Sequence, residues 1–401
     1  MRADAVVDPE EYHERQNRAR AAADSRGLSA LVSFSRGGGA HDRQANGLWL
    51  AGVRTPQPYV PDLPDHWRAT GHVAVIVPVD GPVTAVVESV ESCPWVVADE
   101  LVVGEDLIAA TAAALANCLT PRVRQPVGVL GADVLPYAWW TALEELVLAR
   151  RPHARLQAAD DLSVALRLVK SPAEQRLLRA AGRLGSQAMA EALAAAVPGA
   201  SEAQVAAAFI KRVVSEGGAI YDVVVSSGAA SGRLGPSGGA AGAAGWTTRG
   251  LEVGDLLRID AYGSVAGYLF DFARSIVVGD QASEEQVELI DALRASVMAG
   301  VSALRPGVPL SEIVRVCEQT LANSAHARRY GVPDHLMGGF WGHGMGLDFG
   351  PPWIGPGNHE LVQADWCLAL ERRASVAGLG GAQYEDNVLI GSASAELLTE
   401  S

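Results

Sequence analysis

Residues 256–278 read LLRIDAYGSVAGYLFDFARSIVV, and the placement of Asp260 and Asp271 within this run decides the fold. Apolar, β-branched and aromatic residues flank a small-residue centre, which predicts two strands, 256–262 and 267–278, around a short turn at 264–266. A hairpin symmetric about the bond between Val265 and Ala266 sets the two carboxylates directly opposite each other on one face. Like charges so placed repel. A divalent cation between them removes the repulsion and makes the arrangement stable.

The same geometry recurs near the far end of the chain. Residues 367–390, CLALERRASVAGLGGAQYEDNVLI, place Glu371 and Glu385 at equal distances from Gly378, with Gly380 and Gly381 completing the turn. Two acidic pairs point to two metals. A further donor, His343, stands in Gly342-His343-Gly344-Met345-Gly346, where small neighbours let an imidazole approach an ion closely. By strand alternation Arg373 shares the face of Glu371, where its guanidinium can grip a substrate carboxylate in bidentate fashion.

Working outward, the clearest boundary is Lys170-Ser171-Pro172: Ser171 can cap a helix, Pro172 fits its first position, and Glu174 completes a capping box. The helix runs to Pro198-Gly199, and Ser201-Glu202 opens a second. The pattern returns with Ser283 and Gln286, a stop at Pro306-Gly307, a helix opened by Ser311-Glu312, and Gly331. Two helices followed by strands, twice, predict a duplicated half-domain with approximate internal symmetry. Ahead of residue 169 the pattern predicts a smaller α/β unit: a helix over 10–26, a strand over 30–34, a Gly-rich segment at 37–39, a hairpin of 72–79 and 83–87 joined by Asp80-Gly81, a strand over 126–130 and a helix over 137–150.

Composition narrows the function. The 401 residues exceed what one core usually serves, so two domains are expected, 1–168 and 169–401. With 46 acidic against 32 basic residues, a net charge of −14, there is no basic stripe for a nucleic acid. No apolar run of about 18 residues predicts a membrane span. The charged start, MRADAVVDPEEYHERQNRAR, lacks a secretory pattern, and Cys93, Cys118, Cys317 and Cys367 are too scattered for a disulfide framework. A cytoplasmic protein with reduced thiols is expected.

Taken together, these motifs resemble the creatinase, prolidase and aminopeptidase P family over nearly the whole chain. Lys170-Ser171-Pro172 with Glu174 is similar to its entry into the catalytic domain; Ile259-Asp260 through Tyr268, Asp271 and Arg274-Ser275 resembles its first metal motif, with the aspartates eleven positions apart. Gly342 to Gly346 is similar to its histidine motif, and Leu370-Glu371 and Glu385-Asp386-Asn387 to its last two. The resemblance implies an α+β protein: a small N-terminal creatinase-like α/β domain and a C-terminal pita-bread domain.

It also implies two divalent ions, manganese foremost, with cobalt, iron or zinc as alternatives. Asp260, Asp271 and Glu385 would serve one ion and Asp271, His343, Glu371 and Glu385 the other, with Glu371 and His343 at the chemistry. Hydrolysis of a C–N bond would follow, in an Xaa-Pro dipeptide or small amide or amidine, by a hydroxide bridging the ions with Glu371 as general base. A homodimer is implied too, with residues 37–66 suited to reach a neighbour's site.

The sequence departs from the family around the substrate. Gly235 and Gly350 stand where accessory histidines are usual, Gln383 where an Arg is common two residues before the last ligand, and Arg372-Arg373 where Pro-Gly follows the fourth. Candidate replacements are Asp348, His359, Arg233, Tyr221, Trp341 and the two arginines, with Arg373, Gln383 and Tyr221 foremost for substrate contact. A metal shell kept beneath a changed pocket admits a second expectation, a lyase or tailoring enzyme for a specialised metabolite, and a third, a non-enzymatic binding module.

Overall fold

The computed structural model describes residues 7–37, 41–55, 57–63, 66–89, 95–120, 124–233, 245–335 and 338–400. Contacts divide the chain between Arg167 and Leu168 into two compact units.

The first unit runs α1 (Pro9–Ser25), β1 (Ala30–Arg36), α2 (Ala45–Ala51), β2 (His72–Pro78), β3 (Thr84–Val87), β4 (Glu100–Val103), α3 (Leu107–Cys118), β5 (Val127–Leu130), α4 (Tyr137–Arg150), β6 (Leu156–Ala158) and α5 (Asp160–Leu168). Its six-stranded sheet has the order β4-β3-β2-β1-β5-β6. β1, β2 and β3 pair antiparallel, while β5 and β6 join in parallel, so the sheet is mixed. Val32, Phe34 and Ile76 from the strands and Leu115, Leu143 and Val147 from the helices form its core.

The second unit continues with α6 (Pro172–Ala195), α7 (Glu202–Ser215), β7 (Ala219–Ser227), β8 (Leu256–Val265), β9 (Tyr268–Val277), α8 (Glu284–Ala303), α9 (Leu310–Ala322), α10 (Ala325–Tyr330), β10 (Asp334–His335), β11 (Gly342–Met345), β12 (Phe349–Gly350), β13 (Cys367–Val376), β14 (Gly380–Ile390) and β15 (Ala395–Leu397). Capping boxes start three of these helices, Ser171 with Glu174, Ser201 with Gln204 and Ser283 with Gln286. Each closes two otherwise orphaned backbone N–H groups. α9 differs from expectation: Pro309 precedes it and Ser311 lies inside its first turn. Proline's fixed φ suits the residue just outside a helix, so the start moves forward by two.

The helices of each half pack on that half's own sheet. Leu184, Met189, Val205 and Phe209 meet Val225, Ile259 and Phe272 of the β7-β8-β9 sheet. Leu289, Leu293, Val297 and Ile313 meet Leu368, Leu370 and Val388 of the β12-β11-β13-β14-β15 sheet. Among the described residues no helix is long and apolar enough to cross a membrane.

The two acidic hairpins differ in register. β13 and β14 pair so that Glu371 faces Glu385, with Gly378 at the turn, as symmetry about that glycine predicts. β8 and β9 do not set Asp260 opposite Asp271: Asp260 faces Ala273 and Asp271 faces Tyr262. The cause is the turn. Ala266 (φ 51°) and Gly267 (φ 89°) form a two-residue loop with both φ values positive, the hairpin connection whose twist matches its strands. Strand pairing therefore closes at Val265 and Tyr268, later than the predicted turn at 264–266 allows. The partner shifts by two, and a shift of two keeps both carboxylates on one face as diagonal neighbours.

Candidate metal centre

Between β9 and β14 the chain makes a seam from side chains. The Asp271 amide donates to Asn387 Oδ1 at 2.9 Å, and Asn387 Nδ2 donates back to the Asp271 carbonyl. Arg274 donates to the Glu385 carbonyl at 2.6 Å and to Asp386 Oδ1 at 2.7 Å. Ser275 Oγ donates to the Gln383 carbonyl at 3.1 Å while accepting from the Gln383 amide at 2.9 Å. The seam draws the two acidic hairpins together, which neither ladder alone does.

Across it, ligand atoms of Asp271, His343 and Glu385 lie within 4.8 Å of one another, with His343 Nε2 3.5 Å from Asp271 Oδ2. Glu371 faces Glu385, and Asp260 is the diagonal neighbour of Asp271. Three of the five residues singled out in the sequence thus meet within that distance, and Glu371 and Asp260 occupy the strand positions beside them. His343 is aimed by its other nitrogen: Nδ1 lies 3.1 Å from the Gly344 carbonyl, which can only accept, so Nδ1 carries a hydrogen, and a cation would take up the Nε2 lone pair in place of the proton shared with Asp271. The strand holding it runs unusually close to β13. A Cβ at Gly342 would stand 2.0 Å from the Ala369 carbonyl oxygen, and Gly342 has φ 145°.

The donor chemistry fits divalent cations. Burial, then the charge of Asp271, raises the Asp260 pKa to about 7, with Arg258 opposing. Burial, then Asp271 and Glu371, pushes Glu385 well above the ordinary carboxylate range, and burial raises Glu371 against the pull of His343. Burial disfavours the charged form of His343, but hydrogen bonding to Asp271 and the fields of Asp271 and Glu371 outweigh it and lift it to about 9. Carboxyls this buried and crowded are poorly compensated as anions, and oxygen-rich ligation with one imidazole is a donor set for first-row divalent metals.

The remaining candidates are distributed more widely. Gln383 Nε2 donates to Glu371 Oε2 at 3.2 Å and Glu385 Oε2 at 3.3 Å, so its amide is engaged by the cluster itself. Arg373 is 5% exposed and donates to the Arg233 carbonyl at 2.9 Å. Arg372 points to the opposite face, its guanidinium 4.9 Å from the Trp341 ring centre. Trp341 is core, and His359 is 3.0 Å from Ser311 Oγ. Tyr221 joins a ring series: its centre lies 5.2 Å from Tyr262 and 5.6 Å from Phe349, and His343 lies 5.5 Å from Phe349 and 6.0 Å from Trp353. At Gly350, where the family's second histidine is usual, a Cβ would meet nothing within 4 Å among the described residues. Gly235 falls outside the described residues. Sequence reasoning assigned no role to Arg258, buried two residues before Asp260, nor to the seam residues Arg274, Ser275, Asp386 and Asn387 beyond their place in motifs.

Residues 176–392 match the model of metallopeptidase family M24. The chain belongs to this family. It is 27% identical to the Xaa-Pro dipeptidase of Pyrococcus furiosus over 60% of this chain and 66% of that protein. It is 30% identical to the "Probable dipeptidase PepE" of Mycobacterium tuberculosis over 66% of each. These alignments thus span just under two thirds of the curated relatives' length. The crystal structure of dipeptidase PepE from Mycobacterium ulcerans superposes with a TM-score of 0.73 and 26% identity, covering 98% of this chain and 97% of that one. The M24 assignment carries with it the pita-bread fold, and the mixed helices and sheets described above are its architecture.

Proposed function

We propose that this chain is a metal-dependent hydrolase of a C–N bond, with small peptides of the Xaa-Pro type or related amides as substrates. The observation that carries the reading is the convergence of Asp271, His343 and Glu385 on one point, with Glu371 and Asp260 beside it and His343 Nε2 turned toward Asp271. Two divalent ions, manganese foremost, would be held there, Asp271 and Glu385 serving both. Bound, they supply an activated water and a Lewis acid for the amide carbonyl.

The chain's own residues do the rest. Glu371 lies in the cluster as a buried carboxylate with a raised pKa, suited to take a proton from the attacking water. Asn387, Arg274 and Ser275 hold the carboxylate-bearing strands at a fixed separation. Phe349 and Trp353 beside His343, with Tyr262 and Tyr221 beyond, favour a substrate with an apolar or aromatic side chain next to the scissile amide. The relatives named as dipeptidases support a peptide substrate.

The test is direct. The purified protein, loaded with Mn²⁺, is expected to bind close to two equivalents and to release proline from dipeptides such as Phe-Pro. Full metal loading without release from any dipeptide or amide would overturn the hydrolase reading. The glycine at 350, where the family's second histidine is usual, favours one second reading, an elimination that needs no imidazole to protonate a leaving amine. Failure to incorporate ¹⁸O from labelled water into product would select it.

A further inference from the structure

Arg258 is the buried charge that the metal chemistry leaves over. It is 0% exposed, and a buried guanidinium costs several kcal/mol unless its hydrogens find acceptors. Nη2 donates to Ser226 Oγ and to the Arg233 carbonyl, each at 3.3 Å, and Nη1 donates to Gln383 Oε1 at 3.2 Å. The last contact reaches the cluster, because Gln383 Nε2 donates to one oxygen each of Glu371 and Glu385.

A carboxamide has an accepting end and a donating end, and a half-turn about its last torsion exchanges them. The glutamates, as carboxylates, only accept and so draw the NH₂, and without a donor at the other end the oxygen of this buried amide would go unpaired. Beside a guanidinium, which only donates, the oxygen must face Arg258 and the NH₂ must face the two glutamates. The NH₂ then meets the Oε2 atoms of Glu371 and Glu385, and the Asp260 carboxylate is hydrogen-bonded to Gln383 as well.

We propose that Arg258 is a positioning residue that acts through Gln383, fixing the orientation of its amide and thereby the orientation of Glu371 and Glu385 toward the metals. A relay suits this site better than a direct ion pair. A guanidinium in contact with the glutamates would compete with the cations for the same lone pairs, whereas a neutral amide donates one modest hydrogen bond to each and leaves their charge for the metal. The proposal rests on the metal-centre reading above.

A double-mutant cycle on Mn²⁺ affinity, measured by calorimetry on the full-length protein, tests it. Arg258→Met and Gln383→Met are each expected to weaken binding about tenfold, the scale of a lost outer partner to a metal ligand. The double variant is expected to bind no worse than the weaker single, since both break the same chain. Arg258→Lys, which keeps one donor and the charge, is expected to recover part of the loss. Should Arg258→Met not fold, Arg258→Lys takes its place in the cycle, with the same non-additivity expected. Additive losses, or wild-type affinity in either Arg258 variant, would overturn the relay while leaving the metal centre standing. A wild-type protein that takes up no Mn²⁺ would overturn the metal centre and the relay with it.

Discussion

Asn387 satisfies both backbone hydrogen-bonding groups of Asp271, accepting from its amide at 2.9 Å and donating to its carbonyl. It does for one residue what a neighbouring strand does for many. Replacing it by Leu keeps the volume and leaves a buried N–H and C=O unpaired, each worth about 1–3 kcal/mol. Asn387→Leu is therefore expected to lose about 2–5 kcal/mol in urea unfolding of the metal-free protein. A loss under about 1 kcal/mol would show the seam to be incidental.

The raised pKa values give stability a definite slope with pH. Asp260, Glu371 and Glu385 are easier to protonate folded than unfolded, so their contribution is full below the ordinary carboxylate range. It is lost as pH rises, through about 7 for Asp260. His343, lifted to about 9, has the same sign: its contribution is present below its ordinary value of 6.5 and lost through about 9. The melting temperature of the metal-free protein is expected to fall steadily from pH 5 to pH 9. Mn²⁺ is expected to flatten or reverse the slope, because it favours the deprotonated ligands. Scanning calorimetry with and without chelator checks both.

Two glycines near the centre should respond in opposite ways. Gly342→Ala would put a methyl 2.0 Å from the Ala369 carbonyl oxygen in a backbone conformation that L-residues rarely adopt. A cost of more than about 3 kcal/mol, or failure to fold, is expected. Gly350→Ala meets open space and is expected to change stability by less than about 0.5 kcal/mol. Denaturant midpoints of the two variants measure the contrast.

The ring series predicts a preference. Phe349 packs 5.5 Å from both His343 and Tyr262, and Phe349→Ala opens that wall. The ratio of kcat/KM for Phe-Pro over Gly-Pro is expected to fall about tenfold, equivalent to roughly 1.4 kcal/mol of apolar contact. An unchanged ratio would place the substrate's side chain elsewhere.

Much of the centre was legible because parity is robust. Glu371 and Glu385 share a face for any turn that keeps them opposed, and Asp260 and Asp271 share one even though their pairing shifted by two. What alternation could not supply was the turn type: the positive φ of Ala266 belongs to the hairpin's twist, not to the residue's preference. Arg258 shares the parity of Asp260 and was open to the same reasoning, but a cation in an apolar strand looks like a solvated edge until its burial is known. The bonds from Asn387 and Ser275 were out of reach, because they join β9 to β14, strands of different sheets more than a hundred residues apart, which alternation within one hairpin does not bring together.

That seam has a consequence for descent within such a fold. A backbone ladder holds strands at about 4.8 Å whatever their side chains, so it offers variation nothing to adjust. Asn387, Arg274 and Ser275 replace that fixed spacing with bonds whose length is written in the genetic code. Exchanging a single one for a longer or shorter side chain would widen or narrow the gap between the two halves while each sheet stayed intact. A lineage could in this way fit new molecules between the same ligands by small steps, without ever passing through an unfolded ancestor.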